Sequence, residues 1–301
     1  MSDYFEDGYG RRGRRRKKRG CLSRIAFFFL KLLAGLLAVL LLALAVLYFV
    51  PTDLFMVEPD EDVSLTDGLP GSPFNVLILG VDTESDGMQR SDTMLIASIS
   101  REKIRLTSVQ RDTLVTVEGH GMVKLNAAYS YGGAMGAMRA VNQLLDANIV
   151  GYVVVDFTVL VRLVDALGGL EMDISEQEMQ HINDNVLLSR SVFEPLGYIA
   201  QPLTRYGENV HLNGLQTLAY ARIRKLDSDF MRTSRQRRVV SAIIKKVRNK
   251  LYNPVLLVRL FQIASNGIQT NLALPKLISL GEKALFAEDV DGLRLPVDGS
   301  F

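Results

Sequence analysis

The stretch YVVVDFTVLVRLVDALGGLEMDI, residues 152–174, contains the two periodicities that decide the fold class. Its β-branched start, ending at Asp156, is typical of a buried strand. Residues 157–167 predict a helix with Val161, Val164 and Leu167 on its apolar side, and a double glycine ends it. LEMDI then predicts another strand. A strand, a helix and a strand in succession indicate an α/β domain.

The same alternation continues on both sides of this stretch. FNVLILGVD predicts a buried strand over 75–79 that ends in a glycine turn, with Asp82 just beyond it, and DTMLIASIS and KIRLTSVQRD predict two more strands. Residues 175–209 have no clear period and predict a long loop or flap. The remaining predicted elements are helices over 133–145, 214–224, 230–251, 254–264 and 275–286, and a closing strand at LRLPV. Together they predict an α/β/α layered domain with a central mixed sheet.

The N-terminal part differs from the rest of the chain in charge and hydropathy. Residues 1–24 carry nine basic and three acidic residues and predict a disordered basic head. Residues 25–50 form an apolar run longer than the about 20 residues that cross a bilayer. A cleaved signal peptide is the alternative, but its apolar region is usually only about 7–15 residues. The sequence therefore predicts a single transmembrane signal anchor, a linker over 51–73 and a domain over 74–301.

Charge and cysteine content exclude several classes of protein. The basic head places the N-terminus in the cytoplasm and the domain outside it. From Pro51 onward the chain has 25 basic and 30 acidic residues, so no nucleic-acid partner is expected. Cys21 is the only cysteine, which excludes a disulfide within the domain. The sequence lacks a nucleophile elbow, a Walker A loop and clustered histidines, which argues against a serine hydrolase or a zinc enzyme.

Arginine and aspartate recur at the predicted strand ends. RSDTM places Arg90 and Asp92 directly before one strand, and QRDT places Arg111 and Asp112 directly after the next. Antiparallel neighbours would bring these groups to one sheet edge. Carboxylates with open positions suit Mg²⁺ when phosphate oxygens complete its coordination. The alternative is that each aspartate caps a turn or pairs with a nearby arginine.

A second arginine-rich stretch, ARIRKLDSDFMRTSRQRR at 221–238, divides by helical phase. Extending the apolar stripe of the long helix towards its N-terminus reaches Gln236 and then Arg232. Arg222 shares a face with two leucines. Such inward arginines need either a buried salt bridge or a bound anion such as a diphosphate, and phase leaves both open. The outward residues, predicted to be only solvated, are Arg237, Arg238, Lys245 and Arg248.

These segments resemble the LytR-CpsA-Psr family. The motifs, in order, are NVLILGVD, RSDTMLIASI, VQRDTLV, VKLNAAYSYGG, LVDALGGLEMDI, LNGLQTLAYARIRKLDSDFMRTSRQ and TNL. The resemblance covers about residues 74–300. Gln110 replaces an expected proline, which changes a turn and not a ligand. The resemblance also implies a final strand beyond LRLPVDGSF, which would make the C-terminus incomplete.

The resemblance implies a membrane-anchored phosphotransferase of the cell wall, with Mg²⁺ (or Mn²⁺) as cofactor. Its donor would be a polyprenyl (undecaprenyl) diphosphate-linked anionic glycopolymer, such as teichoic acid, and its acceptor peptidoglycan. Asp82 and Asp92 would hold the metal. The diphosphate would contact Arg90, Arg111, Arg222, Arg224, Arg232 and Gln236, and Asp229 would complete the polar end. Asp92 and Asp229 are the candidate general bases.

Three other functions stay open at this stage. The same site could be a polyprenyl-diphosphate pyrophosphatase, with water as the acceptor. The chain could also be a membrane-tethered transcriptional attenuator, although that function would need the arginine-rich stretch in the cytoplasm. The third is a wall-polymer binding protein without turnover.

Overall fold

The computed structural model describes residues 73–83, 89–100, 102–224, 226 and 229–295. The predicted head at 1–24, the predicted anchor at 25–50 and all but the last residue of the predicted linker lie outside them. Within the described part of the chain, no helix is both long and apolar enough to span a bilayer.

The central element is a mixed sheet of six strands. Its strand order is β10-β3-β2-β1-β6-β9, with β1–β6 and β3–β10 parallel and the other pairs antiparallel. The strands are β1 (Phe74–Thr83), β2 (Gln89–Ile99), β3 (Lys103–Val109), β6 (Ile149–Asp156), β9 (Ile268–Thr270) and β10 (Asp289–Leu295). The observed sheet is mixed, as the sequence predicted, and it confirms the α/β class.

Two small sheets and eight helices complete the described part of the chain. The hairpins are β4 (Leu114–Val117) with β5 (Gly121–Lys124), and β7 (Leu170–Ile174) with β8 (Gly207–Leu212). The helices are α1 (Ala127–Leu145), α2 (Phe157–Ala166), α3 (Glu176–Leu188), α4 (Arg190–Phe193), α5 (Gly214–Ala221), α6 (Asp229–Arg248), α7 (Pro254–Ser265) and α8 (Leu274–Phe286), with a 3₁₀ turn at Glu194–Leu196.

Helices cover both faces of the large sheet. On one face Leu77, Leu79 and Met94 pack with α1 residues such as Met138 and Val141. On the other face, Leu106 of β3 packs against Val240 and Ile244 of α6. A further core joins α2, α3, α5 and the β7–β8 hairpin. Alternating strand residues therefore point into different cores, which gives the predicted α/β/α layers.

The prediction of a loop over 175–209 was wrong. Residues Glu176–Leu188 form a helix that starts with a capping box, in which Ser175 accepts from the Glu178 amide and Glu178 accepts from the Ser175 amide. This helix has a weak apolar period because only Glu178, Ile182 and Val186 are fully buried. A Ser-x-x-Glu pattern was the signal that could have identified it.

The first strand is also longer than predicted. β1 continues through Gly80 and includes Asp82, whose Cα pairs with that of Arg90. A Cβ at position 80 would lie 2.9 Å from the Thr93 Cβ, so only glycine keeps the two strands this close. Gly80 is therefore a close-approach glycine inside a strand and not a turn.

Candidate diphosphate and lipid site

A cavity of about 230 Å³ lies between the sheet and the helices α2, α5 and α6. The sheet contributes Ile78, Leu95, Val153 and Val155 to its wall. The helices contribute Phe157, Leu160, Leu163, Leu218, Val239, Val240 and Ile243. The cavity is thus largely apolar, and its size and lining suit a hydrocarbon chain.

Charged and polar residues line the rest of the same cavity. They are Asp92 on β2, Asp156 at the end of β6, and Arg222, Arg224, Arg232 and Gln236 from the end of α5 and from α6. Arg232 is 2% exposed and Gln236 is 8% exposed. Three guanidinium groups therefore share this region with two carboxylates, and Asp156 already caps α2 by accepting from the Val159 amide. The excess positive charge favours an anionic ligand.

A β-bulge brings Asp92 to the cavity. Gly80 pairs with Thr93 and Val81 pairs with Ser91, so Asp92 is the extra residue on β2. Strict alternation would place Asp92 on the same face as Met94, towards α1. The bulge instead lets Asp92 and Thr93 both line the cavity. Predictions from residue spacing alone could not detect this change of face.

Asp92 binds two arginines from different parts of the chain. Arg111, which follows β3, donates from Nη1 to Asp92 Oδ1, and Arg224 donates from Nη2 to Oδ2. The Asp92 side chain is 17% exposed and that of Arg224 is 47% exposed. Antiparallel β2 and β3 do bring Asp92 and Arg111 together, as the sequence predicted. The pairing of aspartate with nearby arginines, also foreseen, is present as well.

A second carboxylate extends this cluster. Asp112 Oδ1 accepts from Lys124 Nζ at 2.7 Å, and Arg111 Nε lies 3.5 Å from Asp112 Oδ2. The Lys124 hydrogen bond, followed by the charges of Arg111 and Arg232, lowers the pKa of the Asp112 carboxyl. Asp112 therefore remains ionised and helps to hold Arg111 in place.

Arg222 occupies the C-terminal end of α5. It is the C-cap residue, and its guanidinium carbon lies 4.6 Å from the centroid of the Phe157 ring. Every residue of α5 is buried. Leu218 and Arg222 both line the cavity, as their predicted shared face requires. The ring contact orients a cation at the boundary between the apolar and the charged parts of the cavity.

An ion pair that the sequence analysis missed fixes the long helix α6. Arg235 Nε donates to Glu178 Oε1 at 2.9 Å, and the two side chains are 2% and 10% exposed. Arg235 lies one turn before Val239, which belongs to the α3–α5 core. That i+4 relation was the available signal. The pair locks the rotation of α6, so that Arg232, Gln236 and Val240 face the cavity.

The arginines on the outward side of α6 were predicted to be only solvated, but they make hydrogen bonds to other parts of the domain. Arg237 Nη1 donates to the buried Ser108 hydroxyl at 2.6 Å, and Arg248 donates to the Ala284 carbonyl. Arg238 is exposed but donates to the Tyr220 hydroxyl at 3.3 Å. Burial, with the nearby charge of Arg294, lowers the pKa of Arg237. For Arg237 and Arg248 the prediction was wrong because β10 and α8 cover this side of the helix, whereas Arg238 and Lys245 are exposed as expected.

The remaining expected site residues are Arg90, Asp82 and Asp229. Arg90 is half-buried, two residues before Asp92, and is not among the described residues that line the cavity. Asp82 lies in β1 and Asp229 is the first residue of α6, but their side chains are outside the described set. Their proposed roles remain predictions.

The side chains around Asp92 limit how a metal cation could bind there. The described residues contain no group of three histidine, cysteine, aspartate or glutamate side chains placed to hold a metal. Each Asp92 oxygen accepts one arginine hydrogen bond and keeps a second lone pair. The adjacent guanidinium groups would repel a bare divalent ion. A hard cation therefore fits here only when phosphate oxygens complete its coordination.

Fold and site define a class: an α/β/α domain with an apolar cavity whose polar lining is rich in arginine. The chain belongs to the LytR_cpsA_psr family, whose model matches residues 56–301. It is 38% identical over 184 residues to the polyisoprenyl-teichoic acid–peptidoglycan teichoic acid transferase TagU of Enterococcus faecalis, covering 58% of this chain and 54% of TagU. It thus spans about half the length of that relative.

Two solved structures are similar to this fold. One is TagT bound to LIIa-WTA, with a TM-score of 0.63, 27% identity, and coverage of 80% of this chain and 86% of TagT. The other is the LytR-CPS2A-psr family protein YwtF (TagT) with bound octaprenyl pyrophosphate lipid, with a TM-score of 0.58, 26% identity, and coverage of 80% and 85%.

Proposed function

We propose that this chain transfers an anionic glycopolymer from a polyprenyl diphosphate carrier to peptidoglycan, forming a phosphodiester bond. The observation that supports this proposal most directly is the two-part cavity. Its apolar wall suits a polyprenyl chain, and its polar residues Asp92, Arg222, Arg224 and Arg232 suit a diphosphate. The similar proteins include a teichoic acid transferase and a structure with bound octaprenyl pyrophosphate, and they support the same substrate class.

The arginines would act through charge and position. Guanidinium forks match phosphate oxygens in geometry, and a partly dry cavity strengthens their attraction. Phosphoryl transfer depends mainly on alignment and on neutralising charge that develops on the phosphate oxygens. Arg222 and Arg232 would hold the diphosphate, and Arg111 and Arg224 would move from Asp92 to the phosphate when it binds. Arg90 and Gln236 would complete the polar contacts.

Asp92 has two proposed roles. With Asp82 it would hold Mg²⁺ or Mn²⁺ against the diphosphate, and the ion would supply charge neutralisation during transfer. Asp92 or Asp229 would accept the proton from the acceptor hydroxyl. Chelation by EDTA is expected to abolish transfer, and added Mg²⁺ or Mn²⁺ to restore it. Full activity after exhaustive chelation would contradict the metal assignment.

The proposed location follows from the N-terminal sequence. Residues 25–50 would anchor the chain in the cell membrane with a cytoplasmic N-terminus, so the domain would meet its lipid-linked donor at the outer surface. A reporter enzyme fused after Phe301 tests this arrangement. Activity of an extracytoplasmic reporter is expected, and activity of a cytoplasmic reporter would favour the transcriptional alternative.

A reconstituted reaction tests the function itself. The full chain in detergent would be given lipid-linked teichoic acid with and without peptidoglycan. Transfer predicts polymer-modified peptidoglycan with polyprenyl phosphate as the leaving group, and little release of polyprenyl phosphate in the absence of the acceptor. Equal release of polyprenyl phosphate without peptidoglycan, with the polymer left as its free phosphate monoester, would identify a pyrophosphatase, and binding without any product would identify a binding protein.

A further inference from the structure

A second cleft, of about 420 Å³, lies between the β4–β5 hairpin and helix α1. It shares no lining residue with the first cavity, between the sheet and α2, α5 and α6, which is called the lipid cavity from here on. Its polar and aromatic lining residues are Thr116, Glu118, His120, Tyr131, Arg139 and Gln143. Part of it comes from VKLNAAYSYGG, a motif that has no role in the lipid cavity.

Two aromatic rings form a platform in this cleft. His120, from the hairpin turn, stacks on Tyr131 of α1, with ring centroids 3.9 Å apart and planes at 15°. Tyr131 is nevertheless 49% exposed. The platform therefore has one internal contact and still presents aromatic surface to a ligand.

The helix is interrupted directly after Tyr131. Gly132 and Gly133 have non-helical backbone angles, and Gly133 has φ of 60° and ψ of −156°, a region that is essentially restricted to glycine. A Cβ at either glycine would meet no atom within 4 Å. Gly132 lines the cleft, and the backbone conformation of Gly133, rather than packing, requires a glycine there.

The base of the same hairpin is tied to the charged cluster. The Asn126 amide donates to the Arg111 carbonyl at 3.0 Å, and the Leu125 amide donates to the Thr113 carbonyl at 2.8 Å. Lys124 reaches Asp112 as described above. β4 has four residues and extends about 13 Å, so the hairpin turn at one end of the cleft lies roughly that far from the hairpin base. The hairpin therefore connects the cleft to the region of Arg111, where the reacting end of a chain molecule would lie.

The chemistry of the cleft favours a sugar. Sugar hydroxyls both donate and accept hydrogen bonds, and the carbon-bound hydrogens of a pyranose ring pack on aromatic faces. Glu118 supplies acceptors, Arg139 supplies donors and Thr116 supplies both. A purely anionic ligand would not need the carboxylate of Glu118. We propose that this cleft is a saccharide subsite that holds a glycan chain while its reacting end lies at the arginine cluster. The inference rests on the proposed function.

The test compares Tyr131→Ala and Tyr131→Phe in the full chain in detergent. Tyr252→Ala, at an 83% exposed tyrosine after α6, is the matched control. Initial rates are measured against muramidase-solubilised peptidoglycan fragments and against lipid-linked teichoic acid. Tyr131→Ala is expected to raise the KM of one glycan substrate by roughly three- to tenfold with kcat unchanged. Tyr131→Phe and the control should stay near wild type.

The two substrate series identify the glycan. A higher KM for peptidoglycan fragments places the acceptor in the cleft. A higher KM for lipid-linked polymer, with unchanged affinity for octaprenyl diphosphate, places the donor polymer there. If the wild type performs no transfer, the proposed function fails. The saccharide subsite is then tested separately, by calorimetry of the glycan fragments and of carrier-free teichoic acid binding to wild type and to Tyr131→Ala. Unchanged KM values, or unchanged glycan affinity in that case, would overturn it.

Discussion

We expect the buried ion pair between Glu178 and Arg235 to be the polar contact that contributes most to fixing the orientation of α6 about its axis. Removing one partner leaves the other charge in a site that is 2–10% exposed. Breaking such a pair costs about 3–5 kcal/mol in free energy of unfolding. We therefore expect Arg235→Met and Glu178→Gln each to destabilise the domain by about 3 kcal/mol.

The choice of glutamine separates charge from helix capping. A glutamine oxygen still accepts from the Ser175 amide, so the capping box survives and only the charge is lost. The double variant Glu178→Gln/Arg235→Met removes both charges and should be less destabilised than the sum of the single variants by about 2 kcal/mol or more. Glu176→Gln, an exposed glutamate on the same helix, is the control and should change stability by less than about 0.5 kcal/mol.

Urea denaturation of the full chain in detergent, followed by circular dichroism, gives the four free energies of the cycle. Activity supplies a second measurement, because loosening α6 should move Arg232 and Gln236 away from the cavity. Single variants that lose less than about 1 kcal/mol, or that add without coupling, would refute the claim that this pair holds the helix.

Three further predictions concern the lipid cavity and the charged cluster. Arg232→Met should lower kcat/KM at least about a hundredfold. Arg232→Lys should restore only part of the activity because an ammonium lacks the planar guanidinium fork, and a fully active lysine variant would contradict a bidentate contact between Arg232 and the diphosphate. Leu160→Trp should fill the apolar wall and weaken octaprenyl diphosphate binding at least about tenfold while free inorganic diphosphate inhibits as before; unchanged lipid affinity would place the lipid elsewhere. Asp112→Asn should cost a few tenths of a kcal/mol near pH 7 after solvent screening. Because the pKa of Asp112 is lowered from its ordinary value of 3.8, this stability is present above that value and is lost as pH falls through the lowered pKa, so a deficit that does not shrink as pH falls below 3.8 would contradict the assignment.

Much of the fold could be predicted because most of its elements have strong periods. Buried strands such as β1 and β6 and the helix after Asp156 need only side-chain alternation and capping signals to be recognised. Glu176–Leu188 was missed because only three of its residues are fully buried, which leaves little apolar period to detect. The β4–β5 hairpin was missed too, although Gly119 in its turn and Gly121 at the start of β5 both have positive φ.

The candidate site was predictable only in part. Helical phase placed Arg232 and Gln236 at the cavity, since a single helix obeys one period. It gave no indication that Arg235 pairs with Glu178, because that contact joins residues 57 positions apart. The position of Asp92 depends on a bulge that arises from pairing with β1, and local spacing contains no information about that register.

The most direct test of the central claim is a crystal structure of the chain bound to octaprenyl diphosphate. We expect the isoprenyl chain between Val153 and Val155 of the sheet and Leu160 of α2, with the diphosphate against Arg222 and Arg232. Arg224 should leave Asp92 for a phosphate oxygen. A lipid bound outside this cavity, or a diphosphate that makes no arginine contact, would contradict the account.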